Sequence, residues 1–96
     1  MIVRARNTRW DNKLKKCGSI ADRNSLIANS GPYRCATLWD FKKECEFWRP
    51  AIGNFIIHGE SETDDFRFDN EKDAIVKGEE LYQKLLIEIE NDDHSR

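Results

Sequence analysis

The chain has 96 residues, 39% of them hydrophobic and 35% charged, with a formal net charge of −2 and a pI near 5.7. That length suits one domain, residues 1–96, around one modest core. No apolar run approaches the roughly 20 residues of a membrane span, the start Met1-Ile2-Val3-Arg4 lacks the apolar region of a signal peptide, and ten aromatics, among them Trp10, Trp39 and Trp48, argue against disorder.

Residues 2–6 read as a short strand or an ordered arm. Thr8-Arg9-Trp10-Asp11 has a capping-box shape, and Trp10 with Leu14 gives one apolar side, so a short helix is expected from Arg9 to Lys16, ending at Cys17-Gly18. Ser19-Ile20-Ala21-Asp22 repeats the capping signal and would start a second short helix ending near Asn29-Ser30. The alternative makes Ser25 to Ala28 a strand that turns through Asn29-Ser30-Gly31-Pro32. Both remain open. Tyr33 to about Thr37 alternates as a strand. From Leu38 the apolar positions Leu38, Phe41, Cys45 and Trp48 take helical spacing, with Thr37 and Asp40 as a cap and Pro50 beyond the end, which predicts a helix over 38–49. Trp39 and Phe47 would then lie off its apolar side and point to a contact surface.

Ile52 to His58 reads as the best strand, followed by an acidic loop, Gly59 to Asp65, and a returning antiparallel strand, Phe66 to Phe68. Asn70 can cap a long helix from Glu71 to Asn91. Ala74, Ile75, Gly78, Leu81, Tyr82, Leu85, Leu86 and Ile89 fall within an arc of roughly 140° on that helix, as a core-facing side requires. Val76 and Ile87 fall outside it. Gly78 costs about 1 kcal/mol against alanine in a helix interior, and its place on the buried side implies close approach to a sheet. Residues 92–96 read as a frayed tail.

The small net charge hides a sorted distribution. Residues 1–58 balance to +6 and residues 59–96 to −8. Such asymmetry implies either a basic and an acidic contact surface or two segments that neutralise each other. The basic candidates for nucleic-acid phosphates are Arg4, Arg6, Arg9, Lys13, Lys15 and Lys16, with Trp10 among them as a stacking ring and Arg34, Lys42, Lys43 and Arg49 as an extension of the patch. An acidic pI and the lack of any nucleic-acid-binding consensus weigh against that reading. The acidic candidates for a basic protein partner are Glu60, Glu62, Asp64, Asp65, Glu88 and Glu90.

Motifs for chemistry are sparse. Cys17, Cys35 and Cys45 make an odd count at wide spacing, which suits reduced thiols in a cytoplasm rather than a disulfide framework or a zinc knuckle. His58 has no nucleophile at a motif spacing, and the loop beside it lacks the fixed spacing of a calcium loop. No phosphate-binding glycine motif occurs. The expectation is therefore an α+β fold: an antiparallel sheet of about three strands, with the long C-terminal helix packed on one face and shorter helices before it. The functional expectation is a small non-enzymatic binding or regulatory protein, without cofactor or metal, that docks on another protein. Its general character is that of the accessory and inhibitor proteins that phages and mobile elements encode. Nucleic-acid binding is the alternative.

Overall fold

The computed structural model describes residues 3–5, 8–58 and 66–94. Its elements in chain order are β1 (Val3–Ala5), α1 (Thr8–Lys15), α2 (Ile20–Ala28), β2 (Tyr33–Asp40), β3 (Cys45–Ile52), β4 (Phe55–Ile57) and α3 (Glu71–His94). The strands form one antiparallel sheet in the order β1-β4-β3-β2. The fold is thus α+β, with four strands among the described residues rather than about three. No described helix is long and apolar enough to cross a membrane.

Local chemistry accounts for the helices. The Asp73 N–H donates to Asn70 Oδ1 at 2.9 Å, and Asn70 Nδ2 donates back to the Asp73 carboxylate at 2.9 Å, which closes the first turn of α3. That helix then buries Ala74, Gly78, Leu81 and Leu85 while Val76 and Ile87 stay exposed. It continues to His94, three residues beyond the expected Asn91. A Cβ on Gly78 would stand 3.3 Å from the Arg34 carbonyl oxygen and 3.6 Å from the Tyr33 Cβ, so the glycine lets the helix lie close on the sheet. Ser19 accepts the Asp22 N–H at 3.1 Å and starts α2, which makes residues 25–28 helix and removes the strand alternative. α1 is tied to β1 by the Ala5 N–H, which donates to the Asp11 carboxylate at 3.2 Å.

All three helices pack on one face of the sheet. The core joins Leu14, Ile27, Leu81 and Leu85 to Val3, Ala5, Ile52, Phe55 and Ile57. Phe55 is fully buried at its centre, a burial that stabilises the fold by about 3 kcal/mol.

Three expectations need correction. Residues 38–49 form no helix. They complete β2, turn through Phe41–Glu44 and begin β3, in the register Leu38↔Phe47 and Asp40↔Cys45. The helical spacing of four apolar residues was coincidental, because their neighbours Trp39 and Phe47 are equally apolar and suit a ladder of cross-strand pairs. Next, Ile52 to His58 is two strands, divided by a turn at Gly53-Asn54 where Gly53 takes φ +58°. Finally, Phe66 to Phe68 is not a full strand. Only Phe68 pairs, exchanging two backbone hydrogen bonds with Trp48 at 2.8 and 2.9 Å. The expected Gly59 to Asp65 loop lies outside the described residues.

Candidate binding surface

Side chains alternate across a strand, so the register decides what the face opposite the helices carries. Arg4, Ile56, Ala51 and Arg34 stand in one transverse row, since Arg4 pairs with Ile56, Ile56 with Ala51 and Ala51 with Arg34. The next rows towards the hairpin are Ala36 with Arg49, Leu38 with Phe47, and Asp40 with Cys45. Ala36, Ala51 and Ile56 form a small separate apolar cluster on this face. No described helix lies over it.

Arginines dominate the polar part of that face. Arg34 Nε donates to the Gly53 carbonyl at 2.6 Å, reaching from β2 to the β3–β4 turn. Arg67, from the stretch beside β3, places its guanidinium 4.0 Å from the centre of the Phe47 ring, and Arg49 places its own 5.3 Å away. A guanidinium over an aromatic face gains a cation–π attraction, which helps to position both side chains. Arg67 also pairs with the Asp40 carboxylate at 2.9 Å. Arg4 is exposed, and Arg34 and Arg49 are half-buried.

Asp40 does two tasks. Its Oδ1 accepts the Lys42 and Lys43 N–H groups at 2.9 and 3.1 Å, which folds the β2–β3 turn, while its other oxygen meets Arg67. The Lys43 N–H above all, with the Lys42 N–H and Arg67, holds this carboxyl below its usual value. Glu44 closes the turn at φ +51°. Trp39 and Phe41, 49% and 85% exposed, stand at this end of the hairpin on either side of Asp40.

The remaining candidates separate clearly. Trp10 packs edge-on against Phe55, ring centres 5.3 Å apart, with Lys13 Nζ 4.3 Å from its ring. Its ring is thus engaged with the core. Arg9, Lys13 and Lys15 are exposed along α1, and Lys16 is exposed in the turn after it. Glu88 accepts a hydrogen bond from the buried Asn24 amide, which ties α3 to α2, and Glu90 is exposed on α3. Arg6, Glu60, Glu62, Asp64 and Asp65 lie outside the described residues.

His58 is 2% exposed just after β4. The described residues hold no group of three or more side chains able to ligate a metal. The three cysteines are free, with Cys45 exposed and Cys17 and Cys35 half-buried. Burial, aided by nearby Glu71 and opposed by Arg34, pushes the Cys35 thiol up from its usual value.

The open-face arginines were not legible as one group. Arg4, Arg34, Arg49 and Arg67 are scattered over most of the chain, and only the strand register unites them. The sequence signal was the excess of positive charge in residues 1–58, which attached Arg34 and Arg49 to the basic cluster of Arg4 but gave no hint of Arg67. Comparison with protein families, curated proteins and solved structures gives no match.

Proposed function

We propose that this is a non-enzymatic binding protein that docks on an acidic protein surface through the arginine-bearing face of its sheet, which no described helix covers, and modulates that partner. The observation that carries this reading is the set of four arginines, and no lysine, arrayed over an apolar floor on the face that no described helix covers. Arginine and aromatic residues are enriched at protein interfaces while lysine is depleted. Of the acidic candidates, Glu88 is engaged with Asn24 and Glu90 is exposed, while Glu60, Glu62, Asp64 and Asp65 lie outside the described residues.

Nucleic-acid binding is the second reading, favoured by the exposed Arg9, Lys13 and Lys15 of α1 and Lys16 just after it. The edge-on packing of Trp10 against Phe55, with Lys13 over its ring, weighs against the use of that ring for stacking.

The test is affinity capture with the wild-type chain, an Arg4→Glu/Arg34→Glu variant and a Lys15→Glu/Lys16→Glu variant, each checked for folding by circular dichroism. In parallel, polarisation is read with labelled single-stranded DNA at physiological salt. Capture of a protein that the arginine variant loses and the lysine variant keeps is the expected result. Capture unaffected by the arginine variant refutes the reading, and salt-resistant DNA binding lost with the lysine variant replaces it with the second.

A further inference from the structure

β2 closes one edge of the sheet, and its ladder phase fixes which backbone groups face outward. Gly53 donates its N–H to the Pro32 carbonyl at 3.0 Å, so the hydrogen-bonded pairs that continue from it are those of Arg34, Ala36, Leu38 and Asp40. The same phase sends the backbone groups of Trp48 away from β2, and there they do bond Phe68. The N–H and C=O groups of Tyr33, Cys35, Thr37 and Trp39 therefore point out along the free edge. Among the described residues β2 pairs with β3 alone. Natural edge strands are kept from pairing by lysine, proline, bulges or shortness. This one runs eight residues without a lysine, a proline or a bulge, and leads into the exposed Phe41.

We infer that β2 is a dimerisation edge, on which a second copy of this chain pairs antiparallel with Thr37 facing Thr37 across a two-fold axis. The choice of register follows from chemistry. Outward groups can meet when the axis passes through Thr37 or through Ala36. With the axis at Thr37, Arg34 stands opposite Asp40 of the second copy, Cys35 opposite Trp39, Ala36 opposite Leu38 and Tyr33 opposite Phe41. Each Arg34 then faces a carboxylate, and both exposed aromatics gain a cross-strand neighbour. With the axis at Ala36, Arg34 would face Leu38, Asp40 would face Pro32 and Phe41 would face Gly31. The axis stands perpendicular to the sheet, so all helices lie on one side and the two arginine faces join into one surface. The outward backbone groups of the edge carry this inference, and the Arg34–Asp40 pairing sets its register.

Sedimentation velocity of the full chain, from roughly 1 to 100 µM, tests it. The wild type should move to the dimer mass across that range. Thr37→Lys sets two cations against each other at the axis and should leave a monomer, with unchanged circular dichroism because Thr37 is exposed on an edge. For register, Thr37→Cys in a background with Cys17, Cys35 and Cys45 changed to serine should form a covalent dimer under a mild added oxidant. Opposed Cα atoms of a hydrogen-bonded pair lie about 5.5 Å apart, within disulfide reach. Trp39→Cys in the same background should not. A wild type that stays monomeric throughout overturns the inference, as does a dimer that Thr37→Lys leaves intact or that Thr37→Cys fails to cross-link.

Discussion

Gly53 is the position where a single methyl should do most harm. It takes φ +58°, and a Cβ there would meet the Ser30 side chain, with the Ser30 carbonyl oxygen at 2.8 Å and its carbon at 2.9 Å. Its N–H bonds Pro32 and its carbonyl accepts from Arg34. A left-handed conformation costs a non-glycine residue about 1–2 kcal/mol, and forcing an extra carbon against fixed backbone costs about 1–3 kcal/mol more. Gly53→Ala should therefore destabilise the fold by about 2–5 kcal/mol, read from denaturant unfolding at unchanged slope. The Asn variant separates the two causes. Asparagine tolerates the left-handed region yet still carries the Cβ, so Gly53→Asn should remain well below wild type. A loss under about 0.5 kcal/mol for Gly53→Ala, within the ordinary range of a surface substitution, would refute the reasoning. An asparagine variant as stable as wild type would show that the contact with Ser30 does not matter.

Other tests follow from the same geometry. Asp40 is held below its usual carboxyl value of 3.8, so its contribution is present above that pH and is lost as pH falls through the lower folded value. Hydrogen exchange at Lys42 and Lys43, corrected for intrinsic rates, should lose protection on acidification below about pH 4. Asp40→Asn, which cannot titrate, should show no such step; an identical step in both would remove Asp40 as its cause. Thiol labelling should modify exposed Cys45 first and Cys35 slowly, because burial both shields that thiol and disfavours its thiolate; equal rates would contradict the packing around Cys35. Ser19→Ala removes the bond to the Asp22 N–H and should cost about 1 kcal/mol in denaturant unfolding, whereas no change would mean that water replaces the cap.

The α3 side of the molecule was readable because one long segment repeats the same helical pattern and Gly78 breaks propensity in the middle of it. The two short helices were readable from their caps. The β2–β3 hairpin was not. Its turn has no Asn-Gly or other glycine signal; Asp40 builds it by accepting two backbone N–H groups, and Glu44 bears the positive φ. Pro50 misled as well, since it resembles a helix stop. In the ladder its missing N–H faces the side of β3 where pairing passes from β4 to Phe68, so the strand loses little there. Gly53-Asn54 carries the turn signal that divides Ile52 to His58, and the apolar run Phe55-Ile56-Ile57 beside it masks that signal. The open arginine face depended on all of these, because hairpin register alone brings Arg34 beside Ala51 and Arg49 beside Ala36.

The most direct test of the docking face is a residue-resolved amide and arginine Nε–Hε NMR titration at physiological salt, with poly-L-glutamate as the acidic polypeptide probe. The account predicts that the largest shifts fall on Arg4, Arg34, Leu38, Arg49 and Arg67, and that Arg4→Glu/Arg34→Glu abolishes them. Shifts confined to Arg9, Lys13 and Lys15 on α1 and Lys16 just after it, or none on the sheet, would contradict it.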